Sequence, residues 1–142
     1  MLRGGPVVGL GAGGGGVAPG ESAWVAGPNM TTARGSFGLA AVGGKMYAVG
    51  GCRHYDWCDD GNLASIEVLD TSADAPTWRA GPKMATARYA LGLAALGAKL
   101  YAVGGFNYDD IRLTSIEVLD TSAATPAWTA GPSMASGRFS PG

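Results

Sequence analysis

The chain repeats itself, and the length and content of the repeat constrain its fold more than any other property. Residues 33–51 read ARGSFGLAAVGGKMYAVGG and residues 87–105 read ARYALGLAALGAKLYAVGG; after an intervening loop, LASIEVLDTSADAPTWRAGPKM (63–84) returns as LTSIEVLDTSAATPAWTAGPSM (113–134). Trp24, Trp78 and Trp128 stand 54 and then 50 residues apart, and Arg34, Arg88 and Arg138 keep the same two intervals. The difference has one location: 13 residues lie between Gly51 and Ser65, whereas 9 lie between Gly105 and Ser115. One loop is longer and every other segment keeps its length.

A period of about 50 residues belongs to propeller blades or solenoid units, and the content of the unit decides between them. Each copy contains four short strand patterns. FGLAAV and LGLAAL are small and apolar. KMYAVG and KLYAVG follow across Gly43-Gly44 or Gly97-Ala98, two-residue connections suited to a tight hairpin. Ser65 to Asp70, repeated as Ser115 to Asp120, forms a third strand closed by the turn-forming Asp-Thr-Ser, and Thr77 to Ala80, repeated as Ala127 to Ala130, forms a fourth that Gly-Pro stops. No stretch carries a capped 3.6-residue apolar stripe, so no substantial helix is expected. On the second strand Tyr47 and Val49 point to one face and Met46 and Ala48 to the other, and both faces are apolar. A strand covered on both sides lies in a sheet packed between two others. The expected fold is therefore all-β: antiparallel four-stranded blades of a β-propeller, incomplete, with two full blades and partial strands beside them.

The Met-x-x-x-Arg turn (Met30 to Arg34, Met84 to Arg88, Met134 to Arg138), the Tyr-Ala-Val-Gly-Gly strand end, the Ile-Glu-Val-Leu-Asp strand and the tryptophan at fixed distance together resemble the kelch repeat. The resemblance runs from about Trp24 to the C-terminus. It divides the chain into a glycine-rich tail (1–22), a trailing strand (23–30), blades at 34–82 and 88–132, and the start of a further blade (138–142).

With 46% hydrophobic and 15% charged residues, the composition lies well outside the disordered range. A formal net charge of -1 offers no basic footprint for nucleic acid, and no apolar run is long enough to span a membrane as a helix. The N-terminal MLRGGPVVGLGAGGGGVAPGES has too short an apolar stretch for a secretory signal, so a flexible tail and a cytoplasmic location are the expectations. Gly9, Gly11 and Gly14 match the dinucleotide GxGxxG spacing, but Pro19 and Gly20 follow where a helix would have to continue, and no cofactor is expected. Asn29-Met30-Thr31 is a glycosylation sequon that matters only in a secreted chain.

The longer loop, Cys52 to Asn62 (CRHYDWCDDGN), holds both cysteines and the single histidine. Its simplest reading is an exposed loop with unpaired thiols. A Cys52–Cys58 disulfide, a zinc site on Cys52, His54 and Cys58 with an aspartate, and a calcium loop running from Asp56 to Glu67 are the alternatives. Glu67 recurs as Glu117 where the loop does not, which ties that glutamate to the blade rather than to a metal. The same recurrence argues against an acid–base pair formed by Glu67 and Glu117, and no catalytic residues are assigned.

What remains is binding. Arg34, Arg88 and Arg138 sit at the junctions between blades; the resemblance implies that arginines there line the propeller mouth and hold an acidic partner peptide, with a bond inside the scaffold as the competing reading. Arg53, Tyr55, Asn107 and Tyr108, on the two loops, are the other candidate contacts. The expected function is a non-enzymatic protein-interaction scaffold, a substrate-recognition or cytoskeletal adaptor by analogy. The alternative is part of a sugar-oxidising or sugar-isomerising propeller whose catalytic residues lie elsewhere. Propellers close with 4–8 blades, so two blades imply either a fragment of a longer propeller or self-association that completes one.

Overall fold

A computed structural model describes residues 23–54, 58, 61–108 and 111–137. The glycine-rich tail, with its GxGxxG spacing, and the start of a further blade at 138–142 lie outside the described residues. Eight strands form two antiparallel sheets. The first contains β1 (Gly38–Val42), β2 (Lys45–Val49), β3 (Ile66–Asp70) and β4 (Trp78–Ala80) in that spatial order; the second contains β5 (Gly92–Leu96), β6 (Lys99–Val103), β7 (Ile116–Asp120) and β8 (Trp128–Ala130). The registers coincide position for position: Tyr47 pairs with Val68 as Tyr101 pairs with Val118, and Leu69 pairs with Trp78 as Leu119 pairs with Trp128. Among the described residues there is no α-helix.

The turns follow from the residues that make them. Gly43 and Gly44 both adopt positive φ (57° and 77°), the requirement for a two-residue hairpin that matches the strand twist. Asp70 and Asp120 close β3 and β7 by accepting bonds from the backbone N–H and hydroxyl of Ser72 and Ser122. Gly50, at φ 67°, passes so close to the second blade that a Cβ there would lie 2.5 Å from the Arg88 carbonyl oxygen, so the inter-blade approach requires the absence of a side chain.

The sheets stack face to face. Ala40, Tyr47, Val49, Ile66 and Val68 on the back face of the first sheet meet Leu93, Ala95, Leu100, Ala102, Leu119 and Trp128 on the front face of the second. Val49, Leu100 and Ala102 are completely buried in this joint, and Ile66 and Leu119 nearly so. Burial of this order contributes about 1.5–3 kcal/mol for each large aliphatic side chain, which makes the joint the principal source of stability. Backbone bonds reinforce it: Gly51 N–H donates to the Arg88 carbonyl and Ala90 N–H to the Ser36 carbonyl.

Two expectations need correction. Residues 23–30 pair with no strand among the described residues, and Trp24 and Val25 are fully and largely exposed. In the longer loop the cysteines are not free thiols: Cys52 and Cys58 form a disulfide. Cys52 is fixed by bridges to Gly35 and Asn62, and its Cα lies 5.3 Å from that of Cys58, within ordinary disulfide reach.

Candidate partner-binding rim

The polar centre of each blade is an arginine–glutamate clasp. Arg34 Nη1 donates to the carbonyls of Gly50 (2.9 Å) and Ser65 (3.0 Å), and its Nη2 donates to the Ser65 hydroxyl (3.2 Å) and to Glu67 Oε2 (3.0 Å). Arg88 repeats the set on Gly104, Ser115 and Glu117, at 2.8, 3.1, 3.0 and 2.9 Å. The glutamates turn their remaining lone pairs to the segment that precedes the blade. Glu67 accepts from the backbone N–H and hydroxyl of Thr31 and the N–H of Thr32; Glu117 accepts from the N–H groups of Ala85 and Thr86. Burial alone would push the Glu67 carboxyl up, but the bonds from Thr31, Arg34 and Thr32 outweigh it and hold it below the usual carboxylate value.

A second tie runs along the outer edge. Trp78 Nε1 donates to the Pro28 carbonyl and Trp128 Nε1 to the Pro82 carbonyl. Each blade therefore grips the segment that precedes it at two points.

These contacts place Arg34 and Arg88 inside the scaffold. Their side chains are buried, and all the terminal guanidinium nitrogens are engaged with acceptors of the same blade; among the described residues Nε alone lacks a partner. Sequence reasoning offered both the scaffold and the rim for these arginines, and the geometry commits them to the scaffold. The same contacts occupy Glu67 and Glu117, which removes Glu67 from the calcium reading and both from an acid–base pair. The disulfide takes up both sulfurs that the zinc reading required. Among the described residues no cluster of three His, Cys, Asp or Glu is suited to a metal ion.

The loops that leave β2 and β6 form the rim. Each is anchored by the residue after the Gly-Gly pair: Cys52 bridges Gly35 and Asn62, and Phe106 bridges Tyr89 and Arg112. The Tyr89 and Phe106 rings stack at 5.5 Å, stiffening the base of the second loop. Above these anchors Arg53, Tyr108 and Ile111 are exposed. Asn107 is half-buried; its N–H donates to the Ile111 carbonyl, and its side-chain oxygen, shielded from solvent, has no partner among the described residues. Tyr55 and Arg138 lie outside the described residues. Sequence reasoning missed Ile111, whose exposure depends on how the loop folds back to Asn107.

The rim-bearing stack has counterparts among known proteins. The model of the Kelch motif family matches residues 33–85 and 87–135. An Arabidopsis thaliana F-box/kelch-repeat protein is 38% identical over 74 residues, covering 51% of this chain and 17% of its own length. The structure of YjhT superimposes with a TM-score of 0.61 at 13% identity over 73% of this chain, which spans 38% of YjhT. At that identity the likeness is one of fold. The chain thus corresponds to a minor part of either protein's length.

Proposed function

The chain belongs to the kelch-repeat family, and on that premise we propose that it is a non-enzymatic binding scaffold that recognises a protein segment through the loops after β2 and β6. The observation that carries this reading is the division of labour within each blade: the arginine and glutamate are consumed by the clasp, whereas the loops present Arg53, Tyr108 and Ile111 to solvent on disulfide-braced and aromatic-braced bases. Rigid strands that hold chemically varied loops are a common platform for recognition. The F-box/kelch-repeat relative supports a substrate-recognition role, and a cytoskeletal adaptor is the second form of the same reading.

The charge of the loops favours a cationic partner. Residues 52–64 and 106–114 contain five aspartates (Asp56, Asp59, Asp60, Asp109, Asp110) against Arg53 and Arg112. With Arg34 and Arg88 committed to the clasps, an acidic peptide loses the donors expected for it, and a cationic segment with apolar or aromatic side chains fits better. Tyr55, Asn107 and Tyr108 supply the amphipathic contacts, and Arg138 remains a candidate at the next junction.

An array of immobilised basic, neutral and acidic peptides tests this. Retention of basic peptides that weakens with salt, and that falls at least tenfold when Asp59, Asp60, Asp109 and Asp110 are changed to Asn in a folded chain, supports the proposal. Retention of acidic peptides, or equal retention of all three classes, overturns it. Self-association that completes a propeller belongs to the same scaffold reading, because both outer sheet faces are apolar and a binding rim requires a closed or continued stack.

A further inference from the structure

The outer face of each sheet repeats one half of the buried joint. At the joint the first sheet contributes Ala40, Tyr47, Val49, Ile66 and Val68; the outward face of the second sheet carries Ala94, Tyr101, Val103, Ile116 and Val118, identical residues at identical register positions. The second sheet contributes Leu93, Ala95, Leu119 and Trp128; the outward face of the first carries Leu39, Ala41, Leu69 and Trp78, again identical. Exposure records the vacancy on both sides. Tyr47, Val49 and Ile66 are buried while Tyr101, Val103 and Ile116 are half-buried; Leu93 is half-buried while Leu39 is 50% exposed, and Leu96, at the edge of the outward face, is 68% exposed.

We propose that a second copy of this chain seats its Leu39 face on the Tyr101–Ile116 face of the first, head to tail, reproducing the internal joint between copies. The complementarity is already realised once within the molecule, which identifies the occupant as a sheet of this sequence. The proposal rests on the reading that self-association completes the propeller, and it specifies the surfaces.

The clasp fixes the fate of the N-terminal segment. Thr31, Thr32 and Pro28 already occupy Glu67 and Trp78 as Ala85, Thr86 and Pro82 occupy Glu117 and Trp128. The residues just upstream, Ala23-Trp24-Val25-Ala26-Gly27-Pro28, share the A-W-x-A-G-P pattern of Ala127 to Pro132. In each copy the place beside β7 is already filled by β8, so the upstream residues add no strand at the joint and Trp24 keeps its exposure. Each copy contributes two blades, so closure within the 4–8 blades of known propellers takes two to four copies.

Light scattering on the 142-residue chain, with circular dichroism as the check on folding, tests the inference. The expected mass is two to four times that of the chain. Leu39→Asp and Leu96→Asp should each reduce the mass to that of a monomer while preserving the β spectrum. Mixed in equal amounts they should form a dimer and nothing larger, because each retains the face that the other has lost. A monomeric parent chain overturns self-association itself. An oligomer that survives both substitutions, or a mixture that does not pair, overturns the assigned faces and leaves self-association standing. Leu39→Gln and Leu96→Gln form the milder pair with the same expected pattern if either aspartate unfolds the chain.

Discussion

Arg88 Nη2 lies 2.9 Å from Glu117 Oε2, and both side chains are almost wholly removed from solvent. Removing one member of a buried ion pair leaves the other charge uncompensated, at a cost of about 3–5 kcal/mol. Arg88→Met is therefore expected to destabilise the chain by about that amount, and Glu117→Gln to be clearly destabilising as well. The double variant should cost well below the sum of the two, since no lone buried charge remains. Urea unfolding of the four proteins as a double-mutant cycle measures the coupling.

The Glu67 carboxylate makes folding pH-dependent. Its folded-state pKa is lowered, so the native state binds fewer protons than the unfolded chain in the acid range. The stabilisation is fully present above the unfolded value of about 4.3 and is lost as pH falls through the lowered folded value. Asp70 and Asp120, bonded to Ser72 and Ser122, act in the same direction. Urea midpoints should therefore fall as pH drops from 5 towards 3, and Glu67→Gln should show a shallower fall from a lower starting point. An equal slope in the variant would remove Glu67 from the effect.

Gly50→Ala and Gly43→Ala separate space from backbone preference. Both glycines have positive φ, but an added Cβ at Gly43 meets nothing within 4 Å, whereas at Gly50 it meets the Arg88 carbonyl. Gly43→Ala is expected to cost about 1–2 kcal/mol for the left-handed conformation alone. Gly50→Ala should cost more, because the two sheets must separate to admit it. Thermal unfolding of both variants gives the comparison.

Cys52 and Cys58 should be unreactive as isolated under non-reducing conditions. A thiol reagent is expected to count no free sulfhydryl in the denatured, unreduced protein and two after reduction. The bridge closes a short loop, so Cys58→Ser should lower stability by at most about 2 kcal/mol, with its main effect on the conformation of the rim.

Much of this fold was legible because the repeat supplied its own control. A feature present in both copies belongs to the blade, and that logic separated Glu67 from the loop in which a metal spacing could be drawn around it. Periodicity also gave β2 apolar residues on both faces, of which the second sheet covers the one that carries Tyr47 and Val49. The commitment of Arg34 and Arg88 was not legible. A guanidinium beside a glutamate strand suits a clasp or a rim equally until the distances to Gly50, Ser65 and Glu67 are known. Nor could sequence say whether Cys52 and Cys58 meet, which depends on how the loop closes between Gly35 and Asn62. The segment at Trp24 misled for the opposite reason: its pattern is that of β4, but a strand needs a neighbour that a local pattern cannot provide.

The registers of β2 with β3 and of β6 with β7 are the same although the loops between them differ by four residues. Loop length is thus decoupled from the architecture beneath it, and the span between Cys58 and Gly61, outside the disulfide loop, is a natural port for grafting. Foreign epitopes of varied size inserted there should be displayed without disturbing the stack, which makes the two-blade unit a modular chassis whose specificity can be rewritten one loop at a time.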